Sequence, residues 1–361
     1  MIDTSFWKGK KVFITGHTGF KGSWLLQTLL KLDSHVTGYA LQPAFNPSLF
    51  VEIDKKVKGK YESYISDICD KEKLKKALLN SKPDIVFHLA AQPLVRESYR
   101  NPIGTWMVNV MGTLFLLEQL KEIGQKCSVI VVTTDKVYKN KEWIFGYREN
   151  DSLGGYDPYS ASKAAVEICV NSWRSSFCKD NLNIGIATAR AGNVIGGGDW
   201  SKDRLIPDIV RSLSQNKEII IRNPESSRPW QHVLEPIFGY LLLAEKLYKF
   251  PNKYSEAFNF GPNIDSNKSV CEMLSEVLKI WPGNFQLENK DKNNLHEAKL
   301  LNLQIDKSYH YLGWKPYWDF TTTVKKTIFW YQNYFKGLSA YEMCSNDIDE
   351  FQNLLNNKRN Y

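Results

Sequence analysis

The chain has 361 residues, 43% of them hydrophobic, and a formal net charge of +8, so it can form one large domain or two fused ones with a full core. It has no apolar run near the roughly 20 residues that span a bilayer and no signal-peptide pattern at its N-terminus, so we expect a soluble, cytoplasmic protein. Its lysines are scattered, without the basic and aromatic stripe of a nucleic-acid site, which argues against nucleic-acid or membrane partners and leaves small polyanions as candidates.

The six cysteines do not form the pattern of a metal site or a redox pair. None belongs to a C-x-x-C pair, and none lies near histidines at the spacing of metal ligands. We interpret them as reduced thiols, most of them buried, and we expect no bound metal.

The first predicted strand, KKVFITG at residues 10–16, leads through a glycine-rich loop into a predicted helix at residues 23–33. The loop has the pattern G-x-x-G-x-x-G. Such glycines allow a tight turn and a close approach of the backbone to a pyrophosphate, and the helix N-terminus adds N–H donors and a positive dipole. This context predicts a dinucleotide site. Its candidate residues are Gly16, Thr18, Gly19, Phe20, Lys21 and Gly22.

The second predicted strand, at residues 34–41, leaves the choice of nicotinamide cofactor open. The acidic residue that usually holds the adenosine ribose is missing from its sequence VTGYA. NAD and NADP therefore both remain candidates, and Lys21 either meets a 2′-phosphate or is simply solvated. Asp67, farther along, either accepts a hydrogen bond from the adenine amino group or caps the helix predicted at residues 70–82.

Strands and helices continue to alternate through the first half of the chain. The strands are apolar along their whole length, which is typical of a parallel sheet covered by helices on both faces. The right-handed crossover rule then predicts an α/β fold with a doubly wound parallel sheet of Rossmann type. The further predicted strands lie at residues 83–91, 127–134 and 182–194, and the further helices at residues 70–82, 106–124 and 160–177.

The alternation ends near residue 195, where glycine, proline and tryptophan become frequent. We predict a dinucleotide-binding domain at residues 1–190, a smaller substrate lobe mainly at residues 191–340 that can interleave with it, and a polar tail at residues 341–361. The tail either forms a surface helix or frays. Four tryptophans either line a cleft or belong to the core of the lobe, which is the commoner outcome. They are Trp200, Trp230, Trp314 and Trp318.

Two short segments predict a reaction centre. Tyr159 and Lys163 lie four residues apart at the start of a predicted helix and therefore share one face. A lysine ammonium close to a phenol lowers the pKa of the phenol, so Tyr159 could take a hydroxyl proton near neutral pH. Thr134, Asp135 and Lys136 end the preceding valine-rich strand and add a carboxyl group and a second amine.

These segments belong to a series of motifs that resembles the extended short-chain dehydrogenase/reductase family over residues 8–335. In chain order the motifs are GHTGFKGSWL (16–25), HLAAQPLVRESY (88–99), TTDKVY (133–138), YSASK (159–163), ARAGNVIGGGDW (189–200), RPWQHVLEP (228–236), HEA (296–298) and LGWKP (312–316). The resemblance implies an extended-type Rossmann fold with a smaller C-terminal substrate lobe and bound NAD. It also implies a homodimer that pairs two of the predicted helices, 106–124 and 160–177, in a four-helix bundle.

Within that family the motifs are most similar to those of CDP-glucose 4,6-dehydratases. This implies oxidation of a nucleoside-diphosphate hexose at C4, loss of water across C5 and C6, and return of the hydride to C6. Thr134, Tyr159 and Lys163 would serve the oxidation, and Asp135 with Lys136 the dehydration. Other candidates are a dTDP- or GDP-hexose dehydratase, a 4-epimerase, which needs no second acid–base pair, and a non-catalytic nucleotide-binding regulatory protein on the same fold.

Lysine at position 136 distinguishes the chain from dTDP-glucose dehydratases, which carry glutamate there. A lysine base must be uncharged, and nearby positive charges favour that state. We hypothesise that the proton sits on Asp135 and leaves Lys136 neutral, the arrangement that elimination requires. The alternative is a charged Lys136 that is structural or binds a substrate phosphate.

The resemblance also implies binding residues outside the reaction centre. On the cofactor side, besides the glycine loop, Tyr159 and Lys163, they are Asp67, Ile68, Leu89, Ala90 and Ala91. On the substrate side they are Asn193, Arg204, Arg228 and His232. Arginine suits a diphosphate because its guanidinium is a planar fork of donors. His88 is expected to be a satisfied core residue and not a catalyst.

Overall fold

The computed structural model describes residues 2–178, 183–288 and 300–357. The predicted motif HEA at residues 296–298 lies outside these ranges. The strands are β1 (Lys11–Thr15), β2 (His35–Ala40), β3 (Glu62–Ile65), β4 (Ile85–His88), β5 (Cys127–Val132), β6 (Ile184–Ala191), β7 (Val194–Ile195), β8 (Ile219–Ile221), β9 (Ser227–Pro229), β10 (Gln231–His232), β11 (Ala257–Phe260), β12 (Asn267–Ser269) and β13 (Phe285–Leu287).

The helices alternate with the strands and cover them. They are α1 (Thr4–Trp7), α2 (Phe20–Lys31), α3 (Leu49–Val57), α4 (Lys71–Ser81), α5 (Val95–Arg100), α6 (Pro102–Trp106), α7 (Gly112–Ile123), α8 (Pro158–Trp173), α9 (Leu205–Ser214), α10 (Leu234–Lys249), α11 (Pro251–Tyr254), α12 (Val270–Ile280), α13 (Asp306–Leu312), α14 (Phe320–Phe335) and α15 (Ala340–Asn357). Among the described residues, none of these helices has both the length and the apolar character needed to cross a bilayer.

Within the described residues, seven parallel strands form the central sheet in the order β11-β6-β5-β4-β1-β2-β3. The chain winds outward from the β1–β4 pair in both directions. Where the winding reverses, a crevice opens outside the carboxyl ends of the strands, and ligands of such sheets bind there. The predicted doubly wound parallel sheet is confirmed.

Alternate side chains of each strand enter two separate cores, one on each face of the sheet. In β1, Val12 and Ile14 pack into one core and Phe13 into the other. Helices α2, α10 and α15 cover the first core, and α4, α7 and α8 cover the second. Because both faces are buried, the strands appear in the sequence as continuous apolar runs and not as alternating patterns.

Segments from beyond residue 190 return to the central sheet. Strand β11 pairs with β6 at one edge of the sheet, and α10 packs on β5 and β6. The smaller lobe contains the two-stranded ladders β8–β13 and β9–β12 together with α9 and α12. The two lobes therefore exchange chain segments, and the crevice between them has walls from both.

The helix predicted at residues 106–124 is longer than expected and is interrupted. It begins with α6, passes through a π-helical turn at Met107–Met111, and continues as α7. At this turn Asn109 points inward, where its Oδ1 accepts a hydrogen bond from the N–H of Gln92 at 2.8 Å and its Nδ2 donates to Ser162 Oγ at 2.9 Å. Such turns often occur near functional sites. Here the hydrogen bond from Asn109 to Ser162 attaches the π-helical turn to α8.

The polar tail is helical as far as Asn357, so the surface-helix alternative holds for its described part. Its apolar residues follow a helical spacing on one face, and this face is buried against α2, α3 and α14. They are Cys344, Ile348, Phe351 and Leu355. The side-chain amide of Gln27 also donates to the carbonyl oxygen of Tyr341 at 2.7 Å.

Three of the four tryptophans considered as cleft residues lie in the core instead. Trp200, Trp314 and Trp318 pack among other buried aromatic side chains. Trp230 is also buried, but one side of it forms part of a cavity wall.

Candidate active site

A cavity of about 990 Å³ lies between the central sheet and the smaller lobe, at the carboxyl ends of β5 and β6. Its size is within the range of ligand-binding clefts. Thr134, Lys136 and Tyr159 line it, while Asp135 and Lys163 lie directly behind this wall and interact with it. The structure thus brings the five predicted reaction-centre residues together.

The end of β5 places a buried carboxylate between two polar neighbours. The chain turns there through a short 3₁₀ helix at Asp135–Val137, which Thr134 caps. Asp135 Oδ1 accepts a hydrogen bond from Thr134 Oγ1 at 2.9 Å and from Lys136 Nζ at 3.0 Å. Asp135 is 1% exposed, and its Oδ2 has no hydrogen-bond partner among the described residues. Asp135 and Lys136 can therefore exchange a proton directly.

Helix α8 begins at the cavity because Asp157 caps it. Asp157 Oδ1 accepts from the N–H of Ser160 at 3.0 Å, its Oδ2 accepts from Ser160 Oγ at 2.6 Å, and proline follows at the first helical position. The first turn then carries Tyr159. One turn later, Lys163 Nζ donates to the carbonyl oxygen of Val132 at 3.2 Å. Asp157 was not among the predicted residues, although Asp-Pro before a helical pattern is a start signal.

Burial raises the pKa of Tyr159 to about 12, opposed mainly by a hydrogen bond with Thr134 and by the charge of Arg204. The pKa of Tyr159 is thus raised and not lowered as predicted, and the Lys163 ammonium donates to the backbone of β5. Burial also lowers the pKa of Lys163 itself, to about 8. Tyr159 therefore needs additional positive charge near its ring to act as a base at neutral pH.

A buried ion pair supports the reaction centre from below. Glu167, one turn after Lys163 on α8, accepts hydrogen bonds from Thr133 Oγ1 at 2.6 Å, Thr188 Oγ1 at 2.8 Å and Arg190 Nη2 at 2.9 Å. The side chains of the pair are 2% and 4% exposed. These bonds join α8 to the ends of β5 and β6. These bonds were not predicted from the sequence, because no local pattern marks partners on different elements.

His88 is a structural residue of the sheet. Its Nδ1 is hydrogen-bonded to Thr15 Oγ1 at 2.7 Å and its Nε2 to Thr113 Oγ1 at 2.9 Å. Burial lowers the pKa of the imidazole to about 3, so it stays neutral. The expectation of a satisfied core histidine is confirmed.

The glycine loop between β1 and α2 has the shape of a pyrophosphate cradle. Gly16 has a φ of +81°, and a Cβ there would lie 2.8 Å from the N atom of Ala90. A Cβ on Gly22 would lie 2.1 Å from the carbonyl oxygen of Gly16. The first turn of α2 leaves backbone N–H groups without helical acceptors. Thr18 Oγ1 fixes the loop by donating to the Leu41 carbonyl at 2.8 Å. These residues fit a dinucleotide.

Lys21 departs from both expectations for it. Its side chain lines the catalytic cavity with Thr134 and Tyr159, so it is neither simply solvated nor directed at the end of β2, where a 2′-phosphate would bind. Burial, followed by the charge of Arg204, lowers the pKa of Lys21 to about 7, against an opposing effect of Asp135.

The other predicted cofactor residues follow β3 and β4 at the same edge of the sheet. Asp67 is exposed, and its Oδ1 accepts from the N–H of Cys69 at 2.9 Å. Asp70, and not Asp67, caps α4, so the capping alternative for Asp67 is wrong. Ile68 is buried against α7. The backbone N–H groups of Leu89 and Ala90 each donate to a threonine of β1 at 3.1 Å, and Ala91 follows them half-buried.

Three of the four predicted substrate residues line the cavity. They are Asn193, Arg204 and Arg228, and the side chain of Arg204 forms an ion pair with Asp199 at 2.9 Å. His232 does not reach the cavity, and this prediction is corrected. Its ring is fully buried between Trp24 and Trp318, because the short strand β10 turns it inward. Arg96 and Arg222, which were not predicted, also line the cavity.

Within the described ranges, no group of three or more histidine, cysteine, aspartate or glutamate side chains has the arrangement of a metal site.

Comparisons with known proteins identify the family. Residues 13–327 match the sequence model described as GDP-mannose 4,6 dehydratase. The chain belongs to this family. The predicted resemblance to extended short-chain dehydrogenase/reductases is thereby confirmed, since this family is part of that group. The family match covers both lobes and every motif that lines the cavity.

Two relatives show where the chain lies within the GDP-mannose 4,6-dehydratase family. A CDP-glucose 4,6-dehydratase of Salmonella typhimurium is 46% identical over 355 residues, which cover 97% of this chain and 98% of the relative. A dTDP-glucose 4,6-dehydratase of Escherichia coli is 28% identical over 358 residues, covering 90% of this chain and 94% of the relative.

Solved structures agree with the family fold. The dTDP-glucose 4,6-dehydratase of Bacillus anthracis in complex with NAD superposes with a TM-score of 0.74 at 19% identity, covering 89% of this chain and 96% of that one. The UDP-glucose 4-epimerase of Thermotoga maritima with UDP-glucose superposes with a TM-score of 0.77 at 21% identity, covering 90% and 99%. Dehydratases and epimerases thus share the fold, and the fold alone does not separate their reactions.

Proposed function

We propose that the protein is an NAD-dependent CDP-glucose 4,6-dehydratase, a lyase. The observation that carries this proposal is the 46% identity to a CDP-glucose 4,6-dehydratase along almost the full length of both chains, compared with 28% for a dTDP-glucose enzyme. The cavity agrees with it, because a carboxylate and a second amine stand beside the oxidation residues. An epimerase needs no second acid–base pair, and a non-catalytic protein needs none at all. Both alternatives are therefore disfavoured.

The first half of the proposed reaction oxidises the sugar at C4. Tyr159 takes the proton of the C4 hydroxyl, and Thr134 donates a hydrogen bond to the same oxygen as its charge changes. Lys163, one helical turn behind Tyr159 on α8, is the proposed hydrogen-bond donor for the cofactor ribose. NAD held by the glycine cradle between β1 and α2 would supply the hydride acceptor for C4 and the hydride donor for C6.

The second half removes water. The new C4 ketone makes the C5 proton acidic, and we propose that Lys136 removes it while Asp135 protonates the departing C6 oxygen. The 3.0 Å contact between Lys136 Nζ and Asp135 Oδ1 supports this assignment, because a proton can move along it to leave neutral lysine and protonated aspartate. The reaction consumes no net reducing equivalents.

The nucleoside diphosphate of the substrate is assigned to the arginine-rich part of the cavity. Arg204 and Arg228, together with Arg96 and Arg222, line this wall. Bidentate guanidinium groups recognise phosphate oxygens strongly. We propose Asn193 as a further contact, since its Oδ1 is buried without a partner among the described residues. Residues 191–340 would then mainly bind the sugar nucleotide, and residues 1–190 the cofactor.

We propose NAD and not NADP as the cofactor. The glycine cradle and the N-terminus of α2 fit a pyrophosphate, as described above. The one basic residue of the loop, Lys21, is directed into the catalytic cavity and not toward the edge of β2. Asp67, exposed at the adjacent edge, remains the proposed acceptor for the adenine amino group.

The proposed activity is tested by incubating the purified protein with CDP-glucose, and in parallel with dTDP-glucose and GDP-mannose. We expect a 4-keto-6-deoxy sugar nucleotide from CDP-glucose at the highest kcat/KM, with the cofactor oxidised at the end. Stoichiometric accumulation of reduced cofactor, or formation of a C4 epimer without loss of water, would contradict the proposal. A higher kcat/KM with another sugar nucleotide would keep the proposed reaction class but would assign a different substrate.

We also propose a homodimer that acts in the cytoplasm. Helices α6 and α8 lie side by side, and large apolar side chains are exposed on them and on the π-helical turn. This apolar helix surface consists of Ile103, Trp106, Met107, Met111 and Ile168. A four-helix bundle with a second copy would cover it. The free cysteines suit a reducing compartment.

The dimer is tested with the double variant Ile103→Glu/Ile168→Glu. Two charges on each copy would oppose each other across the bundle, so we expect a monomer in analytical ultracentrifugation at micromolar concentration. Ile264→Glu, at an exposed isoleucine outside the apolar helix surface, is the control and should leave the dimer intact. A wild-type protein that sediments as a monomer would contradict the proposal.

A further inference from the structure

Lys163 is a buried amine without an ion pair of its own. It lies behind the wall of the cavity and is 7% exposed. In the part of the chain that the structure describes, its Nζ donates to the carbonyl oxygen of Val132 at 3.2 Å and forms no ion pair. A buried ammonium tends to lose its proton unless a negative charge lies near it. A charge that keeps Lys163 protonated therefore comes from a residue beyond ion-pair distance.

Glu167 is the carboxylate that lies beside Lys163. It follows Lys163 by one helical turn on α8, so the two side chains share one face of the helix. The end of β5 holds both side chains at neighbouring positions. Lys163 donates to the carbonyl of Val132, and Glu167 Oε1 accepts from Thr133 Oγ1 at 2.6 Å. Both residues are buried, so solvent screens the attraction between their charges only weakly.

Glu167 is ionised and interacts with several cations. Burial favours its neutral form, but the charge and hydrogen bond of Arg190, followed by the hydrogen bond of Thr133, hold its pKa below the usual value. Arg174, just after α8, has a smaller effect in the same direction. Burial lowers the pKa of Lys163 to about 8, and the charge of Glu167 is the opposing effect. One carboxylate thus serves its own ion pair and the neighbouring amine.

The other titratable groups that face Lys163 cannot replace this carboxylate. His88 on β4 is neutral, because burial lowers its pKa to about 3. Lys21 on α2 is an amine of the same cavity, and a charge on either lysine disfavours a charge on the other. Of the described groups that act on Lys163, Glu167 is the one that favours the ammonium.

We propose that Glu167 is a positioning residue that keeps Lys163 in its charged form, so that the ammonium can bind the cofactor ribose. This inference rests on the proposed function, in which Lys163 contacts that ribose. Glu167 does not line the cavity and acts through Lys163. An ammonium donates stronger hydrogen bonds than a neutral amine and attracts the negative pyrophosphate. Loss of the Glu167 charge should therefore make cofactor binding sensitive to pH in the neutral range.

The test measures the dissociation constant of NAD as a function of pH by isothermal titration calorimetry, without any sugar nucleotide. In the wild type, affinity should fall as pH rises through the pKa of Lys163, at about 8. In Glu167→Gln the fall should begin about one pH unit lower, the size of one partly screened charge. Below both ranges the two proteins should bind NAD alike. Glu167→Asp keeps the charge and should follow the wild type.

Three further variants separate this role from damage to the fold. Arg190→Met breaks the same ion pair but keeps the carboxylate, so the fall should stay at or above its wild-type pH. Glu167→Gln/Arg190→Gln leaves neither charge of the pair buried alone, and its fall should begin below the wild-type pH. Lys163→Met should lose the step that moves. Lys21 titrates in every variant and does not contribute to the shift.

A loss of NAD affinity in Glu167→Gln that is equal at every pH would overturn the inference. So would a shift to lower pH in Arg190→Met, because a structural effect of the broken ion pair would then explain both variants. An unchanged curve in Lys163→Met would overturn the inference together with the proposed ribose contact. The proposed reaction is judged separately, by whether the wild type forms product from CDP-glucose.

Discussion

At the scale of single residues, the proposed dehydration depends on the Asp135–Lys136 ion pair. The two side chains are adjacent in sequence and share a 3.0 Å contact, so they could act on the neighbouring C5 and C6 atoms of one sugar. The buried aspartate cannot move to solvent, while Lys136 is 32% exposed and can turn toward a bound sugar. This difference fits Lys136 as a base that turns to contact the substrate and Asp135 as an acid that stays fixed.

Lys136→Ala should separate the two halves of the reaction. Without the base, exchange at C5 should fall by about 10²- to 10⁴-fold, the usual contribution of a general base. Oxidation at C4 should remain, so reduced cofactor should accumulate when substrate is added, which absorbance measures directly. Lys136→Arg is the matched variant, because it keeps the charge and cannot lose its proton. Exchange restored by arginine would mean that position 136 supplies charge and not a base.

The Glu167–Arg190 pair shows how a buried residue supports its neighbours. It holds the ends of β5 and β6 against α8 directly below the reaction centre. Removing one partner would leave an uncompensated buried charge. Arg190→Met should therefore lower the free energy of unfolding by about 3 to 5 kcal/mol, measured by urea denaturation. A loss below about 1 kcal/mol would mean that the site relaxes or admits water.

At the scale of elements, the start of α8 determines the position of Tyr159, the proposed base of the oxidation. Asp157 accepts two hydrogen bonds from the first turn of this helix. The same kind of cap begins α14, where Asp319 accepts from the N–H of Thr322 at 2.8 Å. Both caps are aspartates that accept from the N–H group three residues later, but only Asp157 lies at the cavity.

Asp157→Ala should lower both stability and activity, because it frays the turn that carries Tyr159. We expect a loss of about 1 kcal/mol in the free energy of unfolding and a fall in kcat of about tenfold or more from misplacement of the phenol. Asp319→Ala is the matched control, with a similar loss of stability and an unchanged kcat. An equal effect of both variants on kcat would refute a special role for the start of α8.

Several elements were predictable because their patterns are local. The strands at β1, β4, β5 and β6 agree with the predicted ones within a few residues, since each is a β-branched run buried on both faces. β3 was missed because its residues are mostly exposed, and the π-helical turn was missed because apolar spacing does not report it. The burial of α15 was missed, although its apolar residues have helical spacing.

At the scale of the whole molecule, a buried acid couples stability to pH. Glu235 on α10 is fully buried, and its Oε1 accepts from the N–H groups of Tyr317 and Trp318 at 2.9 and 2.7 Å, which joins the C-terminal segment to the sheet. Burial raises the pKa of Glu235 from 4.5 to about 8, against the opposing effect of these bonds. The folded protein therefore holds this proton more tightly than the unfolded chain.

This difference predicts a loss of stability as pH rises. Between about pH 4.5 and pH 8 unfolding releases the proton of Glu235, so its contribution to the free energy of unfolding decreases with pH. Glu235→Gln cannot titrate, and its Tm should rise relative to the wild type from about pH 5 to about pH 8. Glu62→Gln, at an exposed position, should follow the wild type. Parallel Tm curves for Glu235→Gln and wild type would contradict the prediction.

The family, the parallel sheet and the candidate residues of the reaction centre could be inferred from the amino-acid sequence because their signals are close in the chain. A glycine loop between a strand and a helix, a tyrosine and lysine one helical turn apart, and an acid–base pair at a strand end need no knowledge of distant contacts. The cavity position of Lys21, the burial of His232 and the support of the site by Glu167 depend on packing between elements. Such contacts join segments that are distant in the sequence, and they depend on how these segments pack into a shared core. No local pattern reports that packing, so only the tertiary structure determines it.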